Sequence, residues 1–403
     1  MKAKNVVIIF FVLTSIIFAQ KTPYVILISF DGFRWDYCER GITPNLDKLQ
    51  NEGVRAKSIK PVFPSKTFPN HYSIISGMYP EDHGIIANYF TNPFTHERYR
   101  VGDTVSVRQG KWYQGEAFWE TARRNGIVTA SYFWPGSEIE LEYRRPNYFK
   151  YYEHNKPYKE RIDGVINWLN LPQKERPHFI TLYFHDTDSY GHDFGPNSIE
   201  INQSIKRLDS LLGYLNSEIN KLETKDSIDI ILVSDHGMTE VCKDKIINVD
   251  EILSDYKFRF DSGETFALIE PEENKLNEVY EILKKNENHF KVYLKNEMPE
   301  YYHFSNHQFI TTIILIADLG WTVVNNKLLK SYTKSNTKGN HGYDNNELDM
   351  HGIFFAKGPH FKENYKIGTL LNVDIYPLLA KIFDISPRAN IDGKLERIEF
   401  ILK

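Results

Sequence analysis

Cysteine is nearly absent, with two in 403 residues. One bridge is the most they allow, so a disulfide scaffold is excluded. An excess of one charge is also missing. The 49 basic and 53 acidic residues are intermixed, with a formal net charge of −4. No basic footprint for a nucleic-acid polymer is present, and no such partner is expected. Internal repeats and low-complexity linkers are missing too. Long apolar runs are limited to residues 6–18, a 13-residue stretch broken only by Thr14 and Ser15. It falls short of the roughly 20 residues that span a bilayer. What the chain has is ordinary globular composition, 41% hydrophobic and 25% charged. Aromatics are abundant at 14%, with 26 Phe, 25 Tyr and 6 Trp.

Lys2 and Lys4 precede the apolar run, and Ala19 sits at a cleavage edge before Gln20 and Lys21. Residues 1–20 therefore read as a secretory signal peptide. Residues 21–403 are expected to be one exported catalytic domain, periplasmic or secreted, with no membrane span. Removal of Lys2 and Lys4 takes the charge from −4 to −6. No lipobox cysteine follows, so a lipid anchor is not expected.

Tyr24–Phe30 (YVILISF) is an unbroken apolar run ending at Asp31-Gly32, as in a strand buried on both faces. Residues 178–184 (HFITLYF) and 228–233 (IDIILV) repeat the pattern, and acids and histidines follow each at once. Residues 198–222 have helical periodicity between these strands. Thr43-Pro44 opens a helix that closes at Gly53, residues 352–356 form a late strand, and residues 370–383 a late helix. This alternation predicts an α/β sandwich on a mostly parallel sheet, with helices on both faces and ligands at the carboxyl ends of the strands. Segments 89–160 and 257–335 break the alternation and are expected to be insertions over that end.

Metal-type ligands gather at the predicted strand ends. They are Asp31 in SFDGFR, Asp188 and His192 in HDTDSYGHDFGP, Asp235 and His236 in VSDHGM, and His341 in GNHGYDN. Each alone is an ordinary cap, turn or solvated histidine. Three Asp and three His converging are the right ligands for two zinc-class ions. Without a cation the acids would repel and shift upward in pKa. A nucleophile is supplied by PVFPSKTFPNHYSIISG. There Thr67 falls at the start of a short helix, whose N-terminus favours an alkoxide and an anionic phosphate. Ser65 and Thr67 both fit an ordinary N-cap, and position alone does not choose between them.

KTFPNHYSI, GMYP, HGI followed by Asn88, FWPGSE, the Asp188–His192 pair, SDHGM and GNHGYDN run in this order over most of the chain. They resemble the nucleotide pyrophosphatase/phosphodiesterase family of the alkaline phosphatase superfamily. The chain looks like a short, bacterial-type member with neither a cysteine-rich module nor a trailing nuclease-like domain. The resemblance implies an alkaline-phosphatase-like sandwich and two zinc ions. One would be held by Asp31, Thr67, Asp235 and His236, the other by Asp188, His192 and His341. It implies that Thr67 attacks phosphorus to form a covalent intermediate, with retention of configuration over two in-line steps. Asn88 would donate to a non-bridging oxygen, and the absence of Arg from the Thr67 motif favours a diester over a monoester dianion. Phe68 and Tyr152 would face each other across a nucleobase, with Trp134 and Tyr183 lining the same pocket. The expected substrate is a small nucleotide phosphodiester or pyrophosphate, cleaved to a 5′-nucleotide.

The sequence departs from the family pattern beyond Asn88, where Ser106, Val107 and Arg108 stand in place of a lysine. Cys38 and Cys242 each follow a metal motif and could meet in a disulfide. A lysophospholipid or choline phosphodiesterase is the alternative enzyme, and a metal-free binding protein on the same fold is the alternative from another class.

Overall fold

The computed structural model describes residues 22–403, so the signal peptide expected at 1–20 lies outside the described residues. Eight strands form the central sheet. Their order is Tyr365–Ile367, Val54–Ala56, Phe354–Lys357, Ile228–Val233, Tyr24–Phe30, Phe179–Phe184, Thr129–Tyr132 and Tyr148–Lys150. Seven run in one direction, and only Phe354–Lys357 opposes its two neighbours.

Period-2 alternation divides the central strand between two cores. Val25 and Leu27 enter one, where Tyr72, Ile74 and Ile75 of the Thr67–Ser76 helix and Leu378 and Leu379 of the Ile375–Ile382 helix pack. Tyr24, Ile26, Ile28 and Phe30 enter the other, against Ile201, Ile205, Leu208, Leu212 and Leu215 of the Ile199–Ile219 helix. Strands covered on both faces must be apolar throughout, which is why YVILISF has no polar alternation. Each such aliphatic side chain contributes about 1.5–3 kcal/mol on burial. Ser198 caps the long helix by accepting from the Ile201 N–H.

Two expectations need correction, and the open question of a disulfide is answered. Residues 89–160 are not purely an insertion, because Thr129–Tyr132 and Tyr148–Lys150 complete one edge of the central sheet. The late helix is shorter than 370–383. Leu370–Leu371 pairs in parallel with Ile59–Lys60, and the α-helix begins only at Ile375. The two cysteines are unbridged, with Cys38 buried and Cys242 exposed. Cys38 bonds locally to the Trp35 carbonyl, and Arg55 reaches its sulfur.

Segment 257–335 builds a sheet of its own. Phe258–Gly263, Phe266–Pro271, Ile313–Ala317 and Phe290–Leu294 pair antiparallel in that order, over a separate apolar cluster closed by Val279 and Leu283. The short pair Thr239–Glu240 with Gly339–Asn340 delivers His341 to the end of the central sheet.

Candidate active site and metal centre

Strand register assembles the site. Phe30 pairs with Phe184, and Ser29 with both Tyr183 and Val233. Three neighbouring strands thus end level, and Asp31, the 185–188 turn and the 234–236 turn emerge side by side. Gly32 lets the chain leave past Asp188. Its φ is +64°, and a Cβ there would stand 2.8 Å from the Asp188 Cα.

Thr67 is the first residue of its helix, and the preceding Lys66 makes no side-chain cap. Of the first-turn N–H groups, that of Phe68 donates to Asn88 and that of Asn70 to the Lys66 carbonyl, and Pro69 has none, which leaves the Thr67 N–H. Thr67 Oγ1 lies 3.2 Å from His236 Nε2. Ser65, the competing hydroxyl, is already engaged. It donates to the Tyr343 carbonyl and accepts from the Gly342 N–H. Asn88 accepts from the Phe68 N–H through Oδ1 at 3.1 Å, and this turns its amide NH2 the other way.

The charges are arranged in an unusual way. His192, His236 and His341 each place Nδ1 2.8–2.9 Å from a backbone carbonyl, those of Gly339, Gly237 and Ser65. A carbonyl only accepts, so each Nδ1 carries its proton and each Nε2 is turned inward, as a lone pair on the His236 and His341 rings that burial keeps neutral. The inward neighbours are carboxylate oxygens. His236 Nε2 is 3.3 Å from Asp31 Oδ1 and 3.1 Å from Asp235 Oδ2. His192 and His341 Nε2 are each 3.4 Å from Asp188 Oδ1. Those same three oxygens, Asp31 Oδ1, Asp188 Oδ1 and Asp235 Oδ2, are buried without a hydrogen-bond partner. Acceptors facing acceptors in a buried space call for cations between them. Ligand atoms of Asp188, His192 and His341 lie within 4.8 Å of one another, as do those of Asp31, Asp188 and His236 and of Asp31, His71 and Asp235.

The protein atoms alone strain under this arrangement. Burial raises the Asp31 and Asp235 carboxyls well above their usual range, and repulsion adds to it. Burial lowers His236 to about 3 and His341 well below its usual value. Burial works against charge on Asp188 and His192 as well, but each supports the other, with Asp188 lowered to about 2 and His192 raised to about 9. The donor set of three carboxylates and three imidazoles fits two zinc-class ions.

The sequence did not single out His71 or Lys66. His71 lies one turn beyond Thr67, accepts from the Ser29 hydroxyl and directs Nδ1 at the Thr67 carbonyl, 3.3 Å from Asp235 Oδ2. Lys66 is buried, 3.2 Å from Asn340 Oδ1 and 3.6 Å from Glu264 of the second sheet. Both sit inside the Thr67 motif, and that position is the only signal they give in the sequence.

The expected substrate wall is brought together only in part. Phe68 is partly buried against Tyr99. Tyr152 is 39% exposed, with its ring 5.3 Å from Phe133 and 6.1 Å from Tyr183. Trp134 is a correction. It is buried in the core, where its indole N–H donates to the His71 carbonyl, because the FWPGSE turn folds under the nucleophile helix. Tyr183 is also buried, and its hydroxyl donates to Asp31 Oδ2 at 2.5 Å. Arg108 pairs with Glu138 and lies over the Tyr151 ring.

The family profile of type I phosphodiesterase/nucleotide pyrophosphatase matches residues 25–344. Bis(5′-adenosyl)-triphosphatase enpp4 of Xenopus laevis is 34% identical over 95% of this chain and 82% of its own length. Ectonucleotide pyrophosphatase/phosphodiesterase family member 5 of Homo sapiens is 34% identical over 90% of this chain and 74% of its own. Human family member 1 is 35% identical, and this chain spans 42% of it. The solved structure of human ectonucleotide pyrophosphatase/phosphodiesterase 5 superposes with a TM-score of 0.89 at 32% identity, covering 94% of this chain and all of the other. An inactive threonine-to-alanine variant of the murine protein in complex with AMP superposes equally well, at 30% identity. The architecture is therefore the alkaline-phosphatase-like α/β fold.

Proposed function

Because the chain belongs to the type I phosphodiesterase/nucleotide pyrophosphatase family, we propose that it is an exported two-zinc hydrolase. It cleaves small nucleotide phosphodiesters or pyrophosphates to release a 5′-nucleotide. The observation that carries this reading is the opposition of three partnerless carboxylate oxygens to three inward Nε2 atoms, with Thr67 Oγ1 beside them at a helix N-terminus.

One ion would be held by Asp31, Asp235, His236 and Thr67, the other by Asp188, His192 and His341. Zinc at these positions supplies Lewis-acid stabilisation of the charge that develops on the reacting phosphate oxygens. Thr67 Oγ attacks phosphorus, forming the Oγ–P bond as the bond to the leaving oxygen breaks. The helix N-terminus stabilises the negative charge at Thr67 and at phosphate. The Asn88 amide donates to a non-bridging oxygen, with its Oδ1 fixed by the Phe68 N–H. Water then opens the Thr67 phosphodiester and frees the nucleotide. Phe68 and Tyr152 hold the base by stacking, worth about 1–3 kcal/mol and tolerant of base identity.

Support for nucleotide chemistry includes the relative named a bis(5′-adenosyl)-triphosphatase and the murine relative solved with AMP. Several relatives are named ectoenzymes or venom phosphodiesterases, in keeping with export. Among the described residues no helix is long and apolar enough to cross a membrane.

The test is a paired hydrolysis assay with and without chelator, on p-nitrophenyl thymidine-5′-monophosphate and p-nitrophenyl phosphorylcholine. Chelator-sensitive preference for the nucleotide ester is expected. Preference for the choline ester would move the function to lipid headgroups and demote the base clamp. Absence of bound metal together with absence of turnover would sink the enzyme reading.

A further inference from the structure

The turn at 262–264 joins the Phe258–Gly263 and Phe266–Pro271 strands of the second sheet. Ser262, Gly263 and Glu264 have φ of +62°, +94° and +71° in succession. Only one of the three is glycine, and the other two enter the left-handed region at a cost. Contacts on both flanks impose it. The Ser262 hydroxyl donates to the Tyr89 carbonyl at 2.8 Å, and Glu264 exchanges two backbone hydrogen bonds with Val323. The turn thereby delivers its carboxylate to the residue that precedes the nucleophile.

There Glu264, Lys66 and Asn340 close a triangle. Lys66 Nζ lies 3.6 Å from Glu264 Oε2 and 3.2 Å from Asn340 Oδ1. The Asn340 amide donates to the same glutamate oxygen at 3.1 Å, and Asn340 Oδ1 accepts from the His341 N–H. Two corners thus adjoin the site in sequence, Lys66 before Thr67 and Asn340 before His341. The lysine stem passes hard against the His341 loop, where a Cβ on Gly342 would overlap Lys66 Cε.

The Lys66 side chain is only 10% exposed, so its ammonium needs a counter-charge. Asn340 is neutral. The carboxylates whose charge bears on this ammonium are Glu264, the stronger, and Asp188. Asp188 Oδ1 already faces His192 and His341. An ammonium drawn to Asp188 would occupy that carboxylate and repel any cation beside it.

We propose that Glu264 is a positioning residue for the metal centre. It holds the Lys66 ammonium at Asn340 and away from Asp188, which keeps the Asp188–His192–His341 site open to a divalent cation. This role rests on the two-metal hydrolase reading above and adds to it a residue outside the ligand set. It also gives the second sheet a part in the site, through one side chain on a strained turn.

The test is a double-mutant cycle on Glu264→Gln and Lys66→Met, read by zinc binding to the metal-free proteins in competition with a chelator. Glutamine keeps the shape and an acceptor for Asn340, so only the charge is lost. Glu264→Gln alone should weaken one of the two zinc sites by about tenfold or more. In the Lys66→Met background the same change should leave zinc affinity unaltered, because no ammonium remains to be released. Glu264→Asp, which keeps the charge, should bind zinc more tightly than Glu264→Gln. Undiminished zinc affinity in Glu264→Gln would overturn the role. So would an equal loss with and without Lys66, which marks a defect of fold instead. Turnover of p-nitrophenyl thymidine-5′-monophosphate by the same proteins separates this role from the hydrolase reading. If wild type turns over nothing but zinc binding follows the cycle, the hydrolase reading fails and the role of Glu264 stands. If wild type is active and its zinc affinity is indifferent to Glu264, the hydrolase reading stands and the role fails.

Discussion

The residue that matters most is a threonine with a plain side chain in a special place. Its hydroxyl sits at a helix start, 3.2 Å from His236 Nε2. Thr67→Ala should lose nearly all turnover, on the order of 10³-fold or more, while retaining fold and bound metal. Steady-state kinetics with metal analysis checks this, and substantial residual activity would remove Thr67 as nucleophile. Tyr183 makes a different prediction from the one its motif position suggests. Because its hydroxyl binds Asp31 Oδ2, Tyr183→Phe should weaken metal affinity by about 10–100-fold. KM for the nucleotide ester at saturating metal should change little. Competition titration against a zinc chelator separates the two effects. Trp134 was legible as an aromatic in a family motif, but its depth was not. Which of two tryptophan faces meets a pocket depends on the helix packed above it, and a one-dimensional motif carries no such information.

At the scale of elements, the Thr67–Ser76 helix must stop sharply to hold Thr67 at its other end. Gly77 ends it with φ +68°, and a Cβ there would come within 2.9 Å of the Tyr376 Cβ. Gly77→Ala should therefore destabilise by about 1–3 kcal/mol, read from denaturant melts. The Ile228–Val233 strand carries its own test at the end remote from the site. There the Asp229 carboxylate lies 2.6 Å from His360 Nδ1, and this hydrogen bond raises the His360 pKa above 6.5. A raised folded pKa stabilises fully below the unfolded value and the contribution is lost as pH rises through the folded value. Wild type should thus lose thermal stability relative to His360→Gln as pH climbs from about 6.5 upward, with kcat alike in the two. Equal pH profiles of Tm would discount the pair. The strands themselves were readable from unbroken apolar runs. The edge strands Thr129–Tyr132 and Tyr148–Lys150 were not, because four- and three-residue strands leave too little pattern to tell from a loop.

For the molecule as a whole, the level ends of three parallel strands concentrate buried acids that only a cation reconciles. Chelation should lower Tm markedly and increase amide exchange at the 185–188 and 234–236 turns before the sheet interior, because ligands that bind only the folded state stabilise it. A chelated protein with unchanged Tm and exchange would contradict this. The sequence by itself determined the sandwich class, the strands that end in acids and the ligand types, because burial on both faces and metal affinity each demand particular residues locally. Tertiary structure alone decided the rest. Register set which carboxylate oxygen faces which imidazole, and backbone carbonyls fixed the tautomers. Helix packing buried Trp134, and the fold kept Cys38 and Cys242 apart. The 257–335 segment brought Glu264 to the buried Lys66, beside Thr67. These outcomes depend on distances between residues far apart in the chain, which no local pattern encodes.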